Sequence, residues 1–120
     1  MTIQEFYTAV GGNYEDVKGR LITDERIKKF VFRFLGAEDF SLMMKGVEDK
    51  NWEQVFMYSH NLKGVGYNLG LNAMADAASD LCEMVRHGAP ESPIDEPVGK
   101  VKAFYESTCA AIEELKASEG

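Results

Sequence analysis

The sequence predicts an all-α protein: an antiparallel up-and-down four-helix bundle with additional short helices at its N-terminus. Three observations carry that prediction. Apolar residues recur at three- and four-residue spacing along most of the chain. No segment sustains the two-residue alternation of β-branched side chains that a half-buried strand requires. Residues with capping or turn chemistry (Thr2, Asn13, Asn51, Gly36, Gly88) fall where these apolar stripes begin or end. At 120 residues, 45% hydrophobic and 28% charged, the chain fits one domain that buries its core without metal or disulfide. The expected organisation is a single domain, with helical decoration over residues 1–22 and the bundle over about 24–116.

The elements follow in order. Thr2 with Glu5 three residues later is a capping-box pattern. Ile3, Phe6 and Val10 then share a face, and Gly11-Gly12 ends the helix. Asn13 caps a short helix through Arg20, with Tyr14, Val17 and Leu21 on its apolar side. Thr23 or Asp24 caps a stronger one, whose stripe is Ile27, Phe30, Val31 and Phe34, and Gly36 breaks it. The next runs from about Glu38 to Asp49 on Phe40, Met43, Met44 and Val47. Asn51 caps a helix from Trp52 to roughly Leu69, and another spans Asn72 to Arg86 with Met74, Ala77, Ala78, Leu81 and Val85 inward. Residues 88–97 hold all three prolines and read as an irregular connection. The last helix is expected from near Val98 on Val101, Phe104, Tyr105, Thr108, Ile112 and Leu115, with a frayed tail from Lys116 to Gly120.

Charge and composition exclude several functions. A net charge of −7 without a Lys/Arg run argues against nucleic-acid binding as the main task. No stretch approaches 18 uninterrupted apolar residues, and the first residues lack a signal-peptide pattern, so the expectation is a cytoplasmic protein with no membrane span. Cys82 and Cys109 have no CxxC spacing and sit in apolar helical contexts, as small buried hydrophobes of a reducing compartment. Together with His60 and His87 they match no zinc spacing, and no metal site is expected. The run Gly64-Val65-Gly66-Tyr67-Asn68-Leu69-Gly70 lacks the Gly-Lys-Ser/Thr of a phosphate-binding loop, and no strand precedes it. No ATP site is therefore expected, nor an autonomous kinase. Glu25, Arg26, Lys28 and Lys29 read as a solvated helix face, and His87 as a cation at a helix C-terminus.

His60 is the candidate for chemistry. At 100° per residue, Val55, Leu62, Gly66 and Leu69 cluster on one side of their helix, and His60 falls about 150° away. Lys63 lies at the margin of that cluster, and Glu53, Met57, Gly64 and Tyr67 surround His60 on the outer face. Glycines at 64, 66 and 70 each cost about 1 kcal/mol in a helix interior, which suggests a surface kept bare for close approach. A neutral exposed imidazole is a competent nucleophile near neutral pH. Lys63 is placed to supply positive charge to an anion beside it, and Met57, Tyr67 and Glu53 could rim a docking surface. An idle surface histidine, with Met57 and Tyr67 merely exposed, is the plainer alternative.

The run His60-x-Leu62-Lys63-Gly64, followed by Asn68-Leu69-Gly70, resembles the signature of histidine-containing phosphotransfer (HPt) domains, the four-helix phosphocarriers of multistep two-component phosphorelays. Asp24 to Phe34, the turn Asp49 to Asn51, Trp52, and then Met74, Ala78 and Leu81 match the family's order, so the resemblance covers about residues 20–115. The resemblance implies His60 as the phosphorylated residue, Lys63 as the charge-stabilising lysine and Gly64 as the small residue beside the phosphoryl group. It implies Arg86 as a further basic residue near the site. Cys82 stands where many members carry a Gln or Glu that can bond the histidine ring. The implied partners are response-regulator receiver domains and a hybrid sensor histidine kinase. The chain needs no cofactor of its own, since Mg²⁺ belongs to the receiver, and a monomer suffices. The alternative is a helical docking module that binds and titrates receiver or kinase domains without being phosphorylated.

Overall fold

Short polar side chains set most of the helix starts. The computed structural model describes residues 1–119, and Gly120 lies outside the described residues. Among them all regular structure is helical: α1 (Ile3–Ala9), α2 (Tyr14–Leu21), α3 (Asp24–Phe34), α4 (Asp39–Glu48), α5 (Trp52–Asn68), α6 (Asn72–Met84) and α7 (Asp95–Glu119). The Thr2 hydroxyl accepts from the Glu5 N–H at 3.1 Å, and the Glu5 carboxylate accepts from the Thr2 N–H at 2.8 Å. That reciprocal bond holds the Glu5 carboxyl below its ordinary pKa. Asn13, Thr23 and Asn51 cap α2, α3 and α5 in the same sense, each accepting from a backbone N–H three residues on.

Three boundaries differ from the expected ones, each for a local reason. The last helix starts at Asp95 and takes Pro97 into its first turn, where the missing N–H has no intrahelical acceptor to lose. The sixth ends at Met84, two residues early, because Val85, Arg86 and Gly88 bond back three residues in tightened turns. The tail is helical to Glu119. Lys28, expected on a solvated face, pairs with Glu119 at 2.8 Å, and the Met1 ammonium donates to the Ser118 hydroxyl at 2.8 Å. Those bonds tie the end of α7 to α3 and to the chain start.

α4, α5, α6 and α7 pack in chain order, with α5 between α4 and α6. Phe40 of α4 stacks on Tyr105 of α7 with centroids 4.1 Å apart. The core is one apolar cluster that includes Ile27, Met43, Val55, Leu62, Met74, Leu81, Ile112 and Leu115. α1 contributes Ile3, Phe6 and Tyr7 to the same cluster. The buried Tyr7 hydroxyl donates to the Leu69 carbonyl at 2.6 Å, and burial raises its pKa. The longest dimension is 43 Å, and α7 is the longest helix at about 37 Å, from 1.5 Å per residue. No helix among the described residues is long and apolar enough to cross a membrane.

Two features of the α2–α3 corner lead to measurable expectations. Ile22 has φ +71° and ψ −49°, and the Thr23 N–H bonds to the Leu21 carbonyl at 2.8 Å. This is a strained γ-turn, held by a β-branched residue that is 64% exposed. Ile22→Gly relieves that strain and loses little packing, so the urea midpoint should rise by the equivalent of about 1 kcal/mol. A lower midpoint would contradict the strained geometry.

Asp24 accepts from the Tyr14 hydroxyl at 2.7 Å and from the Lys18 ammonium at 2.9 Å. Those bonds, Tyr14's first, lower its pKa below the ordinary 3.8. A depressed carboxyl stabilises the fold above its unfolded pKa and loses that effect as pH falls through the folded value. Urea midpoints of Asp24→Asn and the parent should therefore converge as the pH is lowered below about 4.

Candidate functional site

The α5 sequence dictates a two-faced helix. Val55, Ser59, Leu62 and Gly66 are buried, and the opposite face presents Glu53, Met57, His60, Gly64 and Tyr67 to solvent. Met57 is 47% exposed and Tyr67 37%, large apolar areas for a surface helix. These residues therefore share one exposed face, as the helical wheel predicts, and Lys63 lies half-buried at its edge toward α6.

The three glycines have three different roles, which corrects the reading of a single bared surface. Gly66 is buried, and a Cβ there would lie 2.8 Å from the Ala75 Cβ and 3.3 Å from its Cα, so it sets the close approach of α5 to α6. Gly70 follows the α5 C-cap at φ +70°, where its missing side chain makes room for Val17. Only Gly64 is exposed on the His60 face, and a Cβ there would meet no atom within 4 Å. Nothing inside the chain requires that glycine.

His60 opens onto a shallow recess walled by Asp39, Asn61, Gly64, Val65 and Asn68. Its ring packs against Phe56, with centroids 5.9 Å apart and planes tilted by 39°. Asn61 Nδ2 donates to the Asp39 carboxylate at 3.3 Å, tying the recess to the start of α4. The two flanks differ in charge. An anion at His60 meets the Asp39 carboxylate on the α4 side. Lys63, one helical turn on, is half-buried on the other flank and does not line the recess. Gly64 leaves the space between open.

Other predicted residues lie further off. Arg86 stands beyond the last turn of α6, paired with Glu83 at 2.5 Å, and does not line the recess. Arg86 first, with Lys63 adding to it, holds the Glu83 carboxyl below its ordinary pKa. Cys82 is 1% exposed within the α6 core face, so its thiol is not on the His60 surface. The Tyr67 hydroxyl donates to the Asp76 carboxylate of α6. That bond pushes its pKa up to about 12 and keeps the phenol neutral at physiological pH. Cys109, half-buried on α7, has its thiol pKa raised by burial.

Asp39, Asn61, Asn68 and Phe56 are the site residues that sequence reasoning missed. Asn61 and Asn68 were findable, because they sit seven residues apart beside Gly64 on the wheel. Asp39 was not, since only the packing of α4 on α5 brings it there. Among the described residues no three His, Cys, Asp or Glu side chains converge to hold a metal ion. No family model, no curated protein and no solved structure matches this chain.

Proposed function

We propose that this chain is a histidine phosphotransfer protein that carries a phosphoryl group between receiver-domain aspartates in a two-component phosphorelay. His60 is the phosphoacceptor. An imidazole nitrogen attacks the phosphorus of an aspartyl phosphate on one receiver. The N–P bond forms as the P–O bond to the aspartate breaks, and the carboxylate leaves as its anion. The ring's remaining proton stays on the other nitrogen. Transfer to a second receiver reverses these bonds. The receivers supply Mg²⁺, a hybrid sensor kinase supplies the first phosphoryl group, and α4–α7 act as an antiparallel four-helix bundle within a monomer. Met57, Tyr67 and Glu53 form the docking rim. Arg86 joins the site only when Glu83 releases it.

The observation that carries this reading is Gly64. A glycine in an exposed helix interior costs about 1 kcal/mol relative to alanine, and no neighbour within 4 Å demands it. Gly19 and Gly99 are equally open on their helices; what sets Gly64 apart is its place beside His60, where a bare backbone lets a bulky tetrahedral group and its carrier approach in line. Transfer of this kind depends mainly on positioning and on charge near the moving oxygens. Gly64→Gln should keep or slightly raise stability, by up to about 1 kcal/mol, while slowing transfer from a phosphorylated receiver at least about tenfold. Lys63→Gln should slow it about tenfold with receiver binding retained. Unchanged transfer rates in both variants would remove the support that Gly64 and Lys63 give.

One observation favours the docking-module reading. Among the described residues nothing hydrogen-bonds the His60 ring to orient it, and the position that could, Cys82, is buried. Under that reading receiver binding persists and no residue of the face is ever phosphorylated.

A further inference from the structure

A second site lies beside the C-terminal half of α5, where residues of α2 and α3 line a pocket together with Val65, Asn68 and Leu69. Leu21, Phe30, Phe34, Val65 and Leu69 wall an open pocket of about 430 Å³, within the range of small-molecule sites. Phe30 belongs by spacing to the core stripe of α3 yet remains only part-buried, because its ring forms part of this wall. The pocket is lined by two arginines, Arg20 and Arg33, and by no carboxylate. In a chain of net charge −7 that is a local reversal of sign.

The two guanidiniums are not equivalent. Arg20 donates to the Asp16 carboxylate at 2.6 Å and to the Tyr67 and Asn68 carbonyls at 2.8 and 2.9 Å, so it closes the end of α5. Arg33 lies over the Phe30 ring, 5.5 Å from its centroid. Among the described residues it has no ion pair. A stacked guanidinium with uncommitted donors beside an apolar cavity is built for a planar anion with a hydrophobic body.

We infer that this pocket binds a small amphipathic carboxylate, its headgroup held by Arg33 and its apolar body against Leu21, Phe30, Phe34, Val65 and Leu69. A single anionic group fits, since only one guanidinium is uncommitted. The inference does not rest on the phosphocarrier reading, although Val65 and Asn68 also wall the His60 recess.

The test is an amide NMR titration of the full chain with octanoate, and with octylammonium and octan-1-ol as charge controls. Octanoate should shift the Leu21, Phe30, Phe34 and Leu69 amides saturably, with octylammonium at least about tenfold weaker. Arg33→Gln should weaken octanoate about tenfold and leave the affinity for octan-1-ol and the far-UV spectrum unchanged. Equal binding of all three probes, saturable shifts only elsewhere, or no saturable octanoate shift would overturn the assignment. So would octanoate binding that is indifferent to Arg33→Gln.

Discussion

A His60→Gln variant is expected to accept no phosphoryl group from a phosphorylated receiver domain while binding that receiver as the parent does. Glutamine keeps polarity and approximate size but has no nucleophilic ring nitrogen, so the N–P bond cannot form. The fold should not notice. His60 is exposed and its ring packs against the part-buried Phe56, so the stability change should stay within about 0.5 kcal/mol. Paired measurement of transfer and of receiver binding separates the two readings. Loss of transfer with binding intact fits a carrier, whereas a parent that never accepts a phosphoryl group fits a docking module.

Gly70→Ala should be strongly destabilising, lowering stability by about 3 kcal/mol. Two costs add. At φ +70° an L side chain is strained by roughly 1–2 kcal/mol. The new Cβ would also lie 2.1 Å from the Val17 Cγ2 and 3.0 Å from the Asn13 carbonyl oxygen. Val17 is fully buried and has nowhere to retreat, and overpacking of this kind costs about 1–3 kcal/mol. The start of α2 would have to move, straining the bond from the Asn13 N–H to the Gly70 carbonyl, now 3.1 Å. A fall in the urea midpoint with an unchanged slope is the expected signature. A loss under about 1 kcal/mol would mean that α2 does not sit this close to the end of α5. Gly64→Ala, by contrast, should leave the midpoint unchanged or higher, since its Cβ meets nothing.

That contrast shows where the sequence was legible. Residue spacing alone gave the helices, the buried stripe of α6 and the exposed face carrying His60, because all of these follow from a 3.6-residue period and local caps. It could not separate Gly64 from Gly66 and Gly70. What distinguishes them is the neighbour each would strike: solvent, Ala75 on α6, or Val17 on α2. Asp39 beside Asn61, Lys28 on Glu119, and the arginine-rimmed pocket escaped for the same reason. Each is a pairing across tens of residues that only packing creates. Pro97 misled in a simpler way, since a proline reads as a break although the first turn of a helix tolerates it.

The most direct measurement of the central claim is intact-mass spectrometry of this chain after mixing with phosphorylated receiver domains, under conditions that preserve acid-labile phosphohistidine. The receivers should first be shown to pass their phosphoryl group to another histidine carrier. The account predicts the added mass of one phosphoryl group, located on His60 by fragmentation and missing from His60→Gln. No added mass across receivers that bind the chain, or a phosphoryl group on any other residue, would contradict it.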